Sequence, residues 1–227
     1  MLSNWHGLAP ESPSILTIAD SDTFIAHGAS FVRSVYESGM DCHVHLAAPS
    51  ETCLRGIYKL MDEGSSKLTV SYENNGYFGD NAKTIPMPQL EMRAISSLLT
   101  EGNPLLFVRV DSIIRKKIIF PEKSLCLYKH GDSISTDIMF ASQEAYQIFN
   151  HIFTHYTLDT SEESKQHFLN YLDNGYKSEG EDSYSNLTED IISYDCSAES
   201  SIWRSNSSKE YLEEKAKYGK FLAKRRG

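Results

Sequence analysis

The residues with the clearest chemical potential follow an apolar segment in the middle of the chain. Residues 105–110 are apolar except for Arg109, and Asp111 and Ser112 come directly after them. A short apolar run of this kind predicts a strand buried on both faces, as in the centre of a parallel sheet. Ligands of open α/β sheets bind beyond the carboxyl ends of the strands, where Asp111 would lie. The segment alone leaves open whether Asp111 binds a ligand or only ends the strand.

His43 and His45 form a second pair with metal-binding chemistry, on a strand predicted at residues 41–47. Side chains two positions apart on a strand project to the same face, and two such imidazoles can bind a metal ion. The surrounding sequence offers no third ligand. The favoured interpretation is therefore two partly exposed strand histidines that bind no metal.

The composition limits the classes of function. The formal net charge of −9 argues against nucleic-acid binding, because phosphates need an excess of Lys and Arg on one face. The four cysteines are scattered without C-x-x-C spacing, as expected for reduced thiols. The N-terminal segment lacks the basic start and apolar core of a signal peptide, and no segment approaches the ~20 apolar residues of a membrane helix. We therefore expect a cytoplasmic protein without a membrane span.

The first half of the chain alternates between predicted strands and helices. Strands are expected at residues 14–19, 41–47, 67–72 and 105–110, with helices near 22–39, 49–64 and 89–100. Asp20, Ser21 and Asp22 precede the first helix and are good caps, and Ser50 is expected to cap the second. Because parallel strands need crossovers and these crossovers are helical, the pattern predicts an α/β, Rossmann-like domain with a mostly parallel central sheet.

The second half of the chain has a different pattern. Short strands are expected at residues 113–120, 124–129 and 136–141, as an antiparallel edge, and residues 191–194 would return to the sheet. Helices are expected at 143–155 and 162–172. We expect one domain over residues 1–227, with a lead-in segment at 1–13, a flexible loop at 174–187, and a C-terminal helix with a basic tail at 208–227.

Several segments, taken together and in order, resemble the nucleotide-diphospho-sugar transferases of the type A glycosyltransferase fold. The resemblance is to a group of bacterial glycosyltransferase-like domains often found beside tetratricopeptide repeats. The segments are SILTIADSDTFIAHGASFVRSVYESGMDCHVHLAAP, LTVSYENNGYF, PQLEMRAISSLLTEGNPLLFVRVDS, STDIMFAS and SIWRSNSSKEYLEEKAKY. The resemblance implies an enzyme that moves a sugar from a nucleoside-diphosphate donor to a hydroxyl-bearing acceptor.

The resemblance assigns roles on the donor side of such a site. Ala19, Asp20 and Ser21 would line the nucleotide. Arg93 would face the sugar nucleotide and act in catalysis by helping to neutralise the leaving diphosphate. Near the C-terminus, Trp203 and Lys209 match in type the residues that reach the diphosphate. Asn206 or Ser207 stands where the related proteins have a glycine, and the metal-binding histidine of that segment is absent.

The resemblance also places a D-x-D metal motif at the end of the central strand. Arg109, Val110 and Asp111 occupy it, so a cation replaces the first carboxylate. Mn²⁺ or Mg²⁺ would bind at Asp111, since hard oxygen ligands suit these ions. Arg109 would repel that ion but can itself pair with a diphosphate. Asp137 is the best second carboxylate and would position or deprotonate the acceptor hydroxyl.

Two alternatives to an active glycosyltransferase stay open. The altered D-x-D motif and the missing glycine and histidine favour a nucleotide-binding or sugar-binding scaffold whose catalysis has been lost. A nucleotidyltransferase of related fold is the third alternative. The sequence contains no G-x-G-x-x-G or Walker motif to support a dinucleotide or triphosphate site.

Overall fold

The structure is a computed structural model that describes residues 5–63, 68–73, 87–130, 133–156, 184–187, 191–194 and 196–224. The strands are β1 (Trp5–Gly7), β2 (Ser14–Asp20), β3 (Asp41–Ala47), β4 (Leu68–Glu73), β5 (Leu105–Val108), β6 (Ile113–Ile114), β7 (Leu125–His130), β8 (Ser133–Ala141), β9 (Tyr184–Leu187), β10 (Ile192–Ser193) and β11 (Ile202–Trp203). The helices are α1 (Ser21–Glu37), α2 (Glu51–Asp62), α3 (Met87–Leu99), α4 (Tyr146–Tyr156) and α5 (Lys209–Lys224). None of the described helices is long and apolar enough to span a membrane.

The main sheet has eight strands in the order β1-β4-β3-β2-β5-β8-β7-β9. Strands β4, β3, β2 and β5 are parallel, whereas β1 pairs antiparallel with β4 and β8 lies antiparallel between β5 and β7. A second sheet of three short strands has the order β10-β11-β6. The predicted mostly parallel α/β architecture is confirmed.

Helices cover both faces of the main sheet. One face packs against α1 and α2 through Phe31, Val32 and Ile57, and the other packs against α3 and α4 through Ile95 and Phe149. Of the three predicted caps of α1, Asp20 is the N-cap, since its side chain accepts a hydrogen bond from the Thr23 N–H at 2.8 Å. The predicted cap of α2 is confirmed, since Ser50 accepts a hydrogen bond from the Cys53 N–H. These caps start each helix directly after its strand and bring both strand-to-helix turns to the same edge of the sheet.

The structure differs from the sequence prediction at several elements. The central strand β5 ends at Val108, and the backbone turns at Val110 and Asp111. The strand predicted at 113–120 is confined to Ile113–Ile114, because only these two residues pair with β11. Ile192–Ser193 pairs with β11 in the small sheet and not, as predicted, in the main sheet.

The terminal and connecting segments are only partly covered by the described residues. Trp5–Gly7, within the predicted lead-in segment, forms an edge strand. The last four residues of the loop predicted at 174–187 form β9, next to β7. The rest of that loop, the helix predicted at 162–172 and the tail at 225–227 lie outside the described residues.

Candidate active site

Two carboxylates and one buried guanidinium meet beyond the end of β5. Arg204 is 6% exposed, and its Nη1 donates to Asp111 Oδ1 and to Ser112 Oγ at 3.1 Å. Its Nη2 lies 3.1 Å from Asp137 Oδ2. The Arg204 side chain therefore bridges a carboxylate that follows β5 and a carboxylate on β8.

Arg109 approaches the same two carboxylates from the solvent side. Its side chain is 49% exposed, with Nε 3.7 Å from Asp111 Oδ1 and Nη1 3.6 Å from Asp137 Oδ1. Burial by itself lowers the pKa of the Arg204 guanidinium, but Asp111 and Asp137 outweigh that effect and raise the pKa. Arg204 is thus a permanent cation between two acidic side chains.

The backbone around the cluster is fixed by hydrogen bonds from several elements. The Arg109 N–H donates to the Asp137 carbonyl at 3.1 Å, which joins the end of β5 to β8. The Arg204 N–H donates to the Ser193 carbonyl at 3.0 Å, which holds it beside β10. The Tyr211 hydroxyl on α5 donates to the Asp111 carbonyl. The charged side chains therefore project from a rigid frame.

Tyr194 adds a hydroxyl to the Asp137 side of the cluster. Its OH lies 2.9 Å from Ser135 Oγ and donates to Asp137 Oδ2 at 3.3 Å. Burial raises the pKa of the Tyr194 phenol, so it remains a neutral hydrogen-bond donor. Asp137 is therefore oriented by a phenol as well as by the arginines.

His27 on α1 and Lys215 on α5 lie at the edge of this cluster. The Lys215 Nζ is 2.8 Å from His27 Nδ1. Burial and then the Lys215 charge lower the pKa of His27, and burial lowers the pKa of Lys215 while Asp111 opposes that shift. A neutral imidazole accepts a hydrogen bond from the ammonium, so Lys215 is held near Asp111 and adds positive charge to the site.

A second network of buried polar groups crosses β3, β4 and α3. His43 bonds Thr69 Oγ1 at 2.8 Å and Ser71 Oγ at 2.9 Å. The other histidine of the pair, His45, bonds Ser71 Oγ at 2.9 Å and lies 3.4 Å from Glu73 Oε1. Both histidines are 0% exposed, so the prediction of partly exposed side chains was wrong. The reason is that α3 covers this face of the parallel sheet.

Arg93 belongs to that network and not to the contacts around Asp111. It is 6% exposed, and its Nη2 pairs with Glu73 Oε2. Glu73 is the last residue of β4, so the ion pair joins α3 to the carboxyl edge of the sheet. A contact between Arg93 and a sugar nucleotide stays a prediction.

The predicted diphosphate residues of the C-terminal segment, Trp203 and Lys209, contact other parts of the protein. Trp203 is 6% exposed, donates from Nε1 to the Ser197 carbonyl at 2.7 Å, and packs under the Arg115 guanidinium at 3.9 Å. Lys209 is 83% exposed and pairs with Glu213 at 3.6 Å. Trp203 therefore packs inside the protein and Lys209 lies on the surface of α5, and a contact of either residue with a diphosphate stays a prediction.

Ala19, Asp20 and Ser21 lie at the carboxyl end of β2, on the same edge of the sheet as Asp111. Ser21 Oγ accepts a hydrogen bond from the Ser50 N–H at 2.6 Å, which ties the turn after β2 to the turn after β3. Their role in lining a nucleotide stays a prediction.

The described residues do not fit a divalent metal ion at Asp111. Within the described ranges, no group of three or more His, Cys, Asp or Glu side chains could hold one. The two carboxylates that do come together, Asp111 and Asp137, share the guanidinium of Arg204. An ion placed between them would meet that positive charge.

Sequence reasoning missed Arg204. It lies 93 residues after Asp111, so no local spacing connects them. A usable signal was its position directly after Trp203, in the segment IWRSNSSK that carries the resemblance. Alternation along an extended segment points adjacent side chains to opposite sides, and Arg204 reaches the carboxylates while Trp203 enters the small core with Ile113 and Tyr211.

Comparison with known proteins identifies the fold. No protein-family model and no curated protein sequence matches this chain. The galactosyltransferase LgtC, solved in complex with donor and acceptor sugar analogs, superposes with a TM-score of 0.60 at 9% identity, over 90% of this chain and 95% of LgtC. The chain has the type A glycosyltransferase fold.

A second solved structure gives the same result. The glycosyltransferase GlyE of Streptococcus pneumoniae superposes with a TM-score of 0.59 at 10% identity, over 94% of this chain and 65% of GlyE. The type A glycosyltransferase fold inferred from the sequence resemblance is thereby confirmed. In this fold the cluster of Asp111, Asp137, Arg109 and Arg204 lies beyond the carboxyl end of the central strand, where α/β sheets bind ligands.

Proposed function

We propose that this protein is a glycosyltransferase that moves a sugar from a nucleoside-diphosphate donor to the hydroxyl group of an acceptor. The observation that carries the proposal is the cluster of two carboxylates and two guanidiniums at the end of β5, within a glycosyltransferase fold. Such a cluster combines groups that attract a diphosphate with groups that accept a hydrogen bond from a hydroxyl.

The donor side of the proposed site combines the turn after β2 with Arg109. Ala19, Asp20 and Ser21 line the nucleotide, and the half-exposed guanidinium of Arg109 pairs with the diphosphate. The predicted contact of Lys209 with the diphosphate requires its exposed side chain to leave Glu213. Arg93 acts as a positioning residue, because its ion pair with Glu73 fixes the carboxyl end of β4.

The proposed reaction breaks the bond between the anomeric carbon and the diphosphate oxygen. The acceptor oxygen forms the new bond to the anomeric carbon, and its proton passes to the Asp137 carboxylate. Negative charge grows on the leaving diphosphate, where Arg109 stabilises it electrostatically. Tyr194 holds Asp137 in place. Mn²⁺ or Mg²⁺ at Asp111 was predicted from the resemblance, but no step is assigned to it because the described residues do not fit the ion.

Nucleotide release from a panel of nucleotide sugars tests this function. With each donor and a mixture of hydroxyl acceptors, the wild-type protein is expected to release nucleoside diphosphate. Asp137→Asn is expected to lower that rate about a hundredfold, the size of effect typical for a residue that transfers a proton. Asp62→Asn, at the exposed end of α2, is the matched control and should keep the wild-type rate. Release from no donor would contradict the proposal.

A second candidate function is a binding protein that retains the fold without turnover. The ion pairs of Asp111 and Asp137 with Arg204 favour this candidate, because carboxylate oxygens paired with a guanidinium are less available to accept a proton in catalysis. It predicts that a nucleoside diphosphate raises the melting temperature, that Arg109→Ala removes the shift, and that no nucleoside diphosphate is released from any nucleotide sugar. Release of nucleoside diphosphate that Asp137→Asn abolishes would exclude this candidate.

A further inference from the structure

We infer that Arg204 is a built-in substitute for a divalent cation, so that this site binds a diphosphate without a metal ion. The choice of a nucleoside diphosphate as ligand rests on the proposed function. The placement of Arg204 is independent of it and follows from the contacts described above.

Arg204 permanently occupies the space between the carboxylates of Asp111 and Asp137. Its guanidinium contacts Asp111 through Nη1 and Asp137 through Nη2, and Ser112 accepts a further hydrogen bond from Nη1. Its side chain is 8% exposed and its backbone N–H is bonded to the Ser193 carbonyl. A cation fixed in this way is part of the fold and cannot be exchanged with solvent.

Arg204 leaves little room for another cation between these carboxylates. A divalent ion needs several oxygen ligands, and a carboxylate shared with a guanidinium has fewer lone pairs to offer. The guanidinium also repels a second positive charge placed between Asp111 and Asp137. The site therefore supplies neutralising charge through Arg204 and disfavours a metal ion at the same place.

The guanidinium of Arg109 remains available to bind a phosphate. Its contacts with the carboxylates, at 3.7 and 3.6 Å, are longer than hydrogen bonds, and its side chain is 49% exposed. A planar guanidinium can turn its paired N–H groups toward two phosphate oxygens. Within the described part of the cluster, Arg109 and Arg204 each contact both carboxylates, and Lys215, bonded to His27 and influenced by Asp111, adds a third positive charge for the anion.

Melting temperatures with manganese alone test the role of Arg204. The wild-type protein, stripped with EDTA and then titrated with MnCl₂, is expected to shift by less than about 1 °C. Arg204→Ala opens the space between Asp111 and Asp137, so Mn²⁺ is expected to raise its melting temperature by about 3 °C or more. Arg55→Ala removes an exposed arginine on α2 and should respond as the wild type. A saturable Mn²⁺ shift in the wild type, with none in Arg204→Ala, would overturn the inference.

Nucleotide binding gives a second readout if Arg204→Ala fails to fold. Calorimetric titration of the wild type with uridine or guanosine diphosphate is expected to give dissociation constants equal within about twofold in EDTA and in MnCl₂. Arg109→Ala should weaken binding about tenfold or more in both buffers. Binding seen only with Mn²⁺ would overturn the inference. If neither nucleotide binds in either buffer and the donor panel also gives no release, the proposed function fails, and the manganese titration of the wild type still tests the role of Arg204.

Discussion

Glu73→Ala is expected to lower the free energy of unfolding by about 3–5 kcal/mol, the cost typical of removing one partner of a buried ion pair. Glu73 is 3% exposed and pairs with Arg93, which is 6% exposed. The substitution removes the carboxylate opposite a buried guanidinium and the acceptor next to His45 Nε2. Urea unfolding of the variant and the wild type measures this loss of free energy, provided that both proteins show the same dependence of the unfolding free energy on urea concentration.

Glu51→Ala is the matched control for this experiment. Glu51 also pairs with an arginine, Arg55, at 3.5 Å, but the two side chains are 83% and 70% exposed. An exposed pair of this kind contributes little, so its removal should change the free energy of unfolding by less than about 0.5 kcal/mol. Equal losses in Glu73→Ala and Glu51→Ala would show that the buried network does not stabilise the fold.

Mild acid is expected to destabilise the protein through its buried histidines. Burial, with a smaller contribution from His45, lowers the pKa of His43 to about 3, and burial also lowers the pKa of His45. The unfolded chain takes up protons below about pH 6.5 while the folded chain does not, so stability falls as the pH falls. His43 alone is expected to remove roughly 2 kcal/mol between pH 6.5 and 4.5, because the slope reaches its full size only below the pKa of the unfolded imidazole.

The slope of stability against pH separates this effect from general acid sensitivity. His43→Gln is expected to reduce the slope between pH 6 and 5 by about 1 kcal/mol per pH unit, since one titrating group is removed. Thr69→Val removes a hydrogen-bond partner of His43 but keeps the imidazole, so it should lower stability at every pH with the slope retained. Glu73, whose pKa is lowered by His45 and Arg93 against the effect of burial, adds a further loss at lower pH. An unchanged slope in His43→Gln would contradict the account.

Much of the fold was predictable because its signals are local. The caps at Asp20 and Ser50, and the apolar runs of β2, β3 and β5, specify strand and helix within a few residues of sequence. The small sheet was not predictable in the same way. Its strands β6, β10 and β11 have two residues each, and only their tertiary pairing makes them strands. The edge strand β1 likewise depends on its partner β4.

The buried histidines show where pattern reasoning failed. Alternation of Cys42, Val44 and Leu46 with His43 and His45 is typical of a strand with one exposed face. In a parallel sheet with helices on both sides, both faces are buried, and polar residues survive there only with hydrogen-bond partners. Thr69 and Ser71 supply those partners from β4, a pairing that the sequence of β3 alone does not reveal.

The candidate site was predictable only in part. Asp111, Asp137 and Arg109 were named from the sequence, and the structure brings them together. Arg204 was missed because its approach to Asp111 and Asp137 depends on how β11 packs beside β6, a contact between distant segments. Arg204 changes the chemistry expected of the site, since it supplies a cation where the resemblance implies a metal ion.

Crystals grown with uridine diphosphate and MnCl₂, with diffraction data collected at the manganese absorption edge, test most directly the claim that this site binds a diphosphate without a metal ion. We expect phosphate oxygens within hydrogen-bond distance of the Arg109 guanidinium, with Arg204 still between Asp111 and Asp137 and no anomalous peak between those carboxylates. A manganese peak joining Asp111 to the phosphates, with Arg204 turned away, would contradict the account.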